Sequence, residues 1–222
     1  MKNIVLASNN RGKIAEFGTI LASLSSEYTV RSLADIGFTD EIAEDGASFA
    51  ENSLIKALAA ARLGYIGMAD DSGLTVDALR GEPGIYSARY AGEHGDDGAN
   101  RALLLRNLAA VPDENRGGAF VCVITMVFPE TEAVAVPEKY RVQADLCAKY
   151  GVRPDHTISV RGECRGRIGH TERGAGGFGY DSLFLYDTRT FAEMTQAEKN
   201  AVSHRGNALR LLTEALRETY TK

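Results

Sequence analysis

The chain has 222 residues, too long for a disulfide-stapled mini-protein and suited to one globular domain or two lobes around a cleft. Hydrophobic residues make up 44% and charged residues 25%, ordinary usage that excludes disordered and fibrous classes. The 25 Lys and Arg against 30 Asp and Glu give a net charge of -5, which argues against a broad basic face for nucleic acid but leaves room for a small anion held by a few local cations.

In chain order, residues 3–7 read as a short apolar strand, followed by a polar turn at Ser8-Asn9-Asn10-Arg11-Gly12. Lys13 opens a segment with Ile14, Phe17, Leu21 and Leu24 on one helical face, and a strand follows around Tyr28–Leu33. After a loop carrying Glu41, Glu44 and Asp45, Ser48-Phe49-Ala50-Glu51 has the form of a capping box and starts an Ala- and Leu-rich helix to about Leu63. Ile66–Ala69 is an apolar strand expected to end in Asp70-Asp71-Ser72-Gly73. The alternation of strand and helix predicts an α/β fold. Further on, a helix is expected over Asp97–Ala110, a long strand over Ala119–Phe128 and a strand including Phe184. A closing helix runs from Ser203 to about Thr219, with Leu209, Leu212 and Leu216 on one face. Residues 130–157 carry Pro137 and Pro154, show no clear periodicity and read as an insertion into a single domain spanning 1–222.

The longest apolar stretch, Ala119–Phe128, is interrupted by Thr125 and falls far short of the ~18 residues a spanning helix needs. Ile4-Val5-Leu6-Ala7 is too short an apolar core for a secretory leader. Cys122, Cys147 and Cys164 are odd in number and widely spaced, which fits neither a disulfide framework nor a structural zinc site. No membrane and no nucleic-acid partner is expected, and a reducing cytoplasm is the expected compartment.

Four segments can carry chemistry. The turn at Ser8–Lys13 leads from a strand into a helix N-terminus, where free N–H groups and the helix dipole favour an anion; an ordinary turn with a solvated lysine competes with that reading. Asp70 and Asp71 lie at the end of a predicted buried strand, where open α/β sheets place ligands, with a plain Asp-Asp-Ser-Gly turn as an equal alternative. Neighbouring residues of an extended chain point to opposite sides, so one Asp faces the cleft, and their mutual proximity is expected to raise one pKa. Glu44 can converge on the same point, and two or three carboxylates with phosphate oxygens suit Mg²⁺. Gly174-Ala175-Gly176-Gly177-Phe178-Gly179 matches G-x-G-x-x-G, but the polar stretch Arg161–Arg173 before it and the strand-like Tyr180–Leu185 after it are the wrong context for a dinucleotide fold. A glycine-rich cradle with Phe178 and Tyr180 as an aromatic face for a base suits it better, with a tight hairpin as the plain alternative. Finally, Ser203 can cap the last helix, leaving His204 and Arg205 in its first turn, where two cations oppose the dipole and hint at another use; lone surface basic residues are the commoner alternative. His94, His156 and His170 show no metal-ligand spacing.

The order of these segments is distinctive. Ser8–Lys13, Phe49–Ala57, Ala69–Leu74, Gly84–Tyr90, Gly177–Asp181 and Ser203–Arg205 together resemble the inosine triphosphate pyrophosphatase family, the non-canonical purine nucleoside triphosphate pyrophosphatases, across about residues 2–130 and 159–217. The resemblance implies a mixed sheet with flanking helices and two lobes around a nucleotide-binding cleft. It implies cleavage between the α- and β-phosphates of ITP, dITP and XTP, with Mg²⁺ as cofactor and a homodimer as the assembly. By the same resemblance, Asp71 accepts the proton of the attacking water and ligates Mg²⁺ with Glu44. Ser8, Asn9, Asn10, Arg11, Gly12 and Lys13 take the triphosphate, and Lys56 matches a lysine that touches phosphate. Ser72, Phe178, Gly179, Tyr180, Asp181, Lys199, His204 and Arg205 bind the nucleotide. Ser8 and Asn9 stand where the family usually has Thr and Gly, Ser182 stands where it has Pro, and residues 130–157 have no evident counterpart. A 6-oxopurine offers an acceptor where adenine offers a donor, so donors from the His204–Arg205 region would select for it.

Overall fold

The structure is a computed structural model that describes residues 2–8, 14, 17–18 and 28–220. Of the helix expected from Lys13, only positions 14, 17 and 18 are described, and Phe17 is buried. Seven strands form one sheet: β1 (Lys2–Leu6), β2 (Tyr28–Ser32), β3 (Ile66–Val76), β4 (Gly117–Val127), β5 (Thr157–Ile168), β6 (Phe184–Tyr186) and β7 (Arg189–Thr190). They lie in the order β2-β1-β3-β4-β5-β6-β7. The sheet is mixed, because β1 runs parallel to β2 and β3 whereas β6 runs antiparallel to β5 and β7. Ile4, Val5 and Leu6 are wholly buried in succession, as a parallel strand covered on both faces requires. By contact, the chain divides into two compact units: residues 1–71, 123–161 and 208–222, and residues 72–122 and 162–207.

In the first unit, helix α1 (Phe49–Ala61) is capped as its sequence predicts, with Ser48 Oγ accepting from the Glu51 N–H at 3.1 Å. The box does not close in the usual way, since the Glu51 carboxylate accepts instead from the Ala47 N–H at 2.8 Å. Leu54, Ala57 and Leu58 of α1 pack with Val5, Ala69 and Val127. Gly67 is required by the close approach of β3 to this helix: a Cβ there would stand 2.0 Å from the Ala57 carbonyl oxygen. Residues 130–157 are better ordered into the core than their polar sequence suggests. They contain helix α3 (Ala144–Tyr150), and Val142, Leu146 and Cys147 join the same apolar cluster.

In the second unit, helix α2 (Asp97–Asn107) and helix α4 (Gln196–Val202) accompany a core of Leu74, Leu104, Leu108, Phe120, Leu183, Phe184 and Phe191. Arg116 is 2% exposed there and donates to the carbonyls of Leu108, Ile168 and Gly169 at 2.7–2.9 Å. Helix α5 (His204–Tyr220) begins in this unit and ends in the first.

Three expectations are corrected. Strand β3 does not stop at Asp70 but continues through Asp71-Ser72-Gly73 to Val76, because its edges are paired in the sheet and no turn is needed. The stretch from Arg161 is not merely polar: β5 runs to Ile168, with Val160, Gly162 and Cys164 inward and Arg161, Glu163 and Arg165 outward, the period-two pattern of a strand with one wet face. Tyr180–Leu183 forms turns, and the strand begins only at Phe184. The glycine-rich segment therefore follows a strand but opens no helix, which keeps the dinucleotide fold excluded.

Candidate active site

Asp71 is presented by β3 toward α1, while its neighbour Asp70 is buried at 3% exposure, the opposite-sides arrangement of an extended chain. Four residues apart on α1, Asn52 and Lys56 share a helix face and both reach Asp71. Asn52 Nδ2 donates to Asp71 Oδ2 at 3.2 Å, and Lys56 Nζ lies 3.3 Å from Asp71 Oδ1. The same ammonium donates to Glu44 Oε2 at 2.9 Å, so one cation bridges the two carboxylates. The Lys56 and Asp71 side chains are each 12% exposed and that of Glu44 is 38% exposed, which gives a site open on the Glu44 side.

Burial pushes the Asp71 carboxyl above its ordinary pKa; Lys56 pulls it back, Glu44 pushes it further up, and the Asn52 hydrogen bond opposes the rise. The main cause is thus desolvation rather than the adjacent Asp70. For Lys56, burial opposes the charge, but Asp71, Glu44 and Asp70 outweigh it and hold the pKa above the usual lysine value.

The site's fit to a divalent cation can be judged from its donors. Two carboxylates already converge on a single cationic nitrogen, so their oxygens face a common point. Among the described residues, no cluster of three or more His, Cys, Asp or Glu forms a ready-made metal cage. Two carboxylates are a donor set that a hard divalent cation can use, since such an ion can bind through one or two carboxylates and complete its shell with water and phosphate oxygens.

The second group lies in the other unit. Phe178 is 62% exposed, and the Lys199 ammonium sits 5.1 Å above its ring centroid. Lys199 also pairs with the buried Asp181 carboxylate, which accepts from the Phe178 N–H at 3.0 Å. The Gly179 N–H donates to Asp97 at 2.7 Å and its carbonyl accepts from Arg101 at 2.9 Å, pinning the glycine-rich turn to α2. Tyr180 is buried, donates its hydroxyl to the Ser87 carbonyl at 2.9 Å, and has its pKa raised by burial. His204 stacks on Phe120 at 4.9 Å, and Phe120 stacks on Phe191, which also lies under Lys199 at 5.5 Å. One aromatic group thus carries Lys199 and His204. Ser203 accepts the Gly206 N–H at 3.2 Å, capping α5 while closing α4 through its own N–H to the Lys199 carbonyl. A Cβ at Gly206 would stand 2.0 Å from the Asn200 carbonyl oxygen, so α5 starts hard against α4.

Ser8 is half-buried just past β1, its N–H donating to the Leu6 carbonyl at 2.9 Å. Asn9, Asn10, Arg11, Gly12 and Lys13 lie outside the described residues. Ser72 follows Asp71 on β3, and Arg205 is half-buried in the first turn of α5.

Across residues 4–215 the chain matches the sequence model of the Ham1 family. It belongs to that family. Similar Ham1 relatives carry the name dITP/XTP pyrophosphatase. The protein from Exiguobacterium sibiricum is 43% identical over 216 residues, 96% of each chain, and that from Mycolicibacterium paratuberculosis is 45% identical over 221 residues, 97% of this chain and 96% of the relative. The solved Ham1 protein of Coxiella burnetii superposes with a TM-score of 0.82 at 36% identity, covering 99% of this chain and 100% of the other.

Two contributors escaped the sequence reasoning. Asn52 sits inside a recognised motif, one turn before Lys56 on the same helix face, but no local feature marks it as the partner of Asp71. Phe120, in the middle of an apolar strand, gave no sign that it supports His204.

Proposed function

We propose that this Ham1 protein hydrolyses the non-canonical purine nucleoside triphosphates ITP, dITP and XTP to the monophosphate and pyrophosphate, clearing deaminated purines from the nucleotide pool. The observation that carries the reading is the Asp71–Glu44 carboxylate pair bridged by Lys56, in a chain whose relatives are named dITP/XTP pyrophosphatases.

A carboxylate whose pKa is raised by burial is a better proton acceptor near neutral pH than an exposed one. Asp71 takes a proton from water as its oxygen attacks the α-phosphorus. The bond from that phosphorus to the oxygen bridging toward the β-phosphate breaks, and pyrophosphate leaves with the bonding pair. Asp71 and Glu44 are the residues that would hold Mg²⁺, which when bound neutralises phosphate charge and lowers the pKa of a bound water. Ser8, Asn9, Asn10, Arg11, Gly12 and Lys13 cradle the triphosphate, with Lys56 beside it. Phe178, Gly179, Tyr180 and Asp181 form the wall against the base, together with Ser72 and Lys199. His204 and Arg205 read the 6-oxo group. One catalytic domain spans residues 1–222, working as a homodimer on free nucleotides in the cytoplasm; among the described residues no helix is long and apolar enough to cross a membrane.

The test is a product assay with Mg²⁺ on ITP, XTP, GTP, ATP and CTP that scores pyrophosphate separately from orthophosphate. Pyrophosphate from ITP and XTP, with little from the others, supports the reading. Orthophosphate as the first product would mean γ-phosphate attack and overturn it, and ITP binding without any product would make the protein a nucleotide sensor.

A further inference from the structure

Glu44 lies in a segment, residues 41–46, that belongs to no helix or strand, so no ladder of backbone hydrogen bonds fixes it against Asp71. Besides the Lys56 ammonium on the Glu44 carboxylate itself, the backbone that follows Glu44 is held by a pair of side chains from the first turn of α1. Asn52, 1% exposed, accepts the Gly46 N–H through Oδ1 at 2.9 Å while its Nδ2 holds Asp71. Its neighbour Glu51 accepts the Ala47 N–H at 2.8 Å. Two consecutive loop N–H groups are therefore tied to two consecutive helix residues, and one of those residues also grips the second carboxylate. Glu51 is in turn fixed from outside by α3: Tyr150 donates its hydroxyl at 2.8 Å, and the Lys149 ammonium pairs with the same oxygen.

We propose that Glu51 and Asn52 are positioning residues that hold the Glu44 segment in register with Asp71, and that helix α3 of the 130–157 segment acts on the site through Glu51. This rests on the pyrophosphatase reading for its substrate, but the placement of the two carboxylates can be read without substrate. Glu51 does more than cap a helix: in a closed box it would reach back to the Ser48 N–H, whereas here it reaches one residue further, to the loop. Residues that orient metal-binding groups cost about 10–100-fold in metal affinity or activity when removed.

The experiment titrates the whole chain with Mn²⁺ alone, following the free ion by electron paramagnetic resonance, and separately resolves kcat from KM for ITP with Mg²⁺. Asn52→Leu and Glu51→Leu are each expected to weaken Mn²⁺ binding by about tenfold or more and to lower kcat with KM little changed. Glu51→Gln keeps an acceptor for the Ala47 N–H and is expected to restore most of the affinity. If the Leu variants do not fold, Lys149→Met combined with Tyr150→Phe decides, with a smaller loss in the same direction. Folded variants that bind Mn²⁺ as wild type does overturn the proposal, as does wild-type protein that takes up no Mn²⁺. Wild-type protein that binds Mn²⁺ but releases no pyrophosphate from ITP refutes the pyrophosphatase reading and leaves the positioning roles to the Mn²⁺ result.

Discussion

Replacing Gly67 by alanine tests whether the approach of β3 to α1 is what assembles the carboxylate site. The new Cβ would stand 2.0 Å from the Ala57 carbonyl oxygen and 3.0 Å from both the Ala57 carbonyl carbon and the Ala61 nitrogen. All three are backbone atoms, so no side chain can swing away. Strand and helix must separate by more than about 1 Å before the contact becomes an ordinary one. Overpacking of this kind costs about 1–3 kcal/mol, and the rigidity of the neighbours puts Gly67→Ala at the upper end. For a chain of this size that corresponds to a fall in Tm of about 6–12 °C. The Asp71 contacts to Lys56 and Asn52, at 3.3 and 3.2 Å, have little slack, so the same separation breaks them. A misplacement of about 1 Å near the reacting groups can cost about 10²-fold in rate. Thermal unfolding by circular dichroism gives the first number, and turnover of ITP far below Tm gives the second. Gly18→Ala, where a Cβ meets nothing within 4 Å, is the control. A Gly67→Ala protein melting within about 2 °C of wild type with full turnover would refute the reasoning.

Asp71→Asn keeps the shape of the side chain but removes the proton acceptor; turnover is expected to fall by about 10²–10⁴-fold while ITP still binds, as fluorescence or calorimetric titration would show. Arg116→Met leaves the carbonyls of Leu108, Ile168 and Gly169 without their buried donor, and a loss of about 3 kcal/mol or more is expected in urea unfolding. Glu51 is held down to a pKa of about 2 by Lys149, with the Ala47 N–H and the Tyr150 hydroxyl adding to the effect. A carboxylate depressed in the folded state stabilises fully above its unfolded value and loses that contribution as pH falls toward the folded one. Stability should therefore drop between about pH 4.5 and 2, and Glu51→Gln should flatten that part of the urea-midpoint profile against pH. Buried Cys164, whose pKa burial pushes up to about 11, should resist iodoacetamide at neutral pH in the folded protein and react once unfolded; rapid native alkylation there would contradict the structure.

What could be read from the sequence was what is decided locally. The apolar run of β1, the Ser48 cap, the Ser203 cap and the opposite facing of Asp70 and Asp71 each depend on a handful of neighbouring residues. Strand β5 was hidden because every second side chain from Arg161 is charged and faces outward, which in a short window looks like a polar loop. The continuation of β3 was hidden because Ser72-Gly73 is turn chemistry that sheet pairing overrides. Helix α3, at 7 residues, is too short to show a period. Asn52 could be seen but not interpreted, since the partner that gives it meaning lies 19 residues away. The same holds for Lys56, whose place between two carboxylates follows from a fold rather than from a motif.

The joint at Ser203 has a consequence for how this chain can vary. One residue closes both helices, the second with its side chain and the first with its backbone N–H, and the Asn200 carbonyl oxygen of the first helix stands 2.0 Å from where any side chain at position 206 would start. The stretch from Lys199 to His204 therefore works as a ruler of fixed length. Adding or removing a residue within it would rotate the second helix by about 100° relative to the first, because each residue of a helix turns the chain by that amount. The lysine and the histidine would then no longer share one aromatic support. Loops elsewhere in the molecule can lengthen during divergence at little cost. This joint admits substitution and resists insertion, and among relatives its length should drift less than its letters.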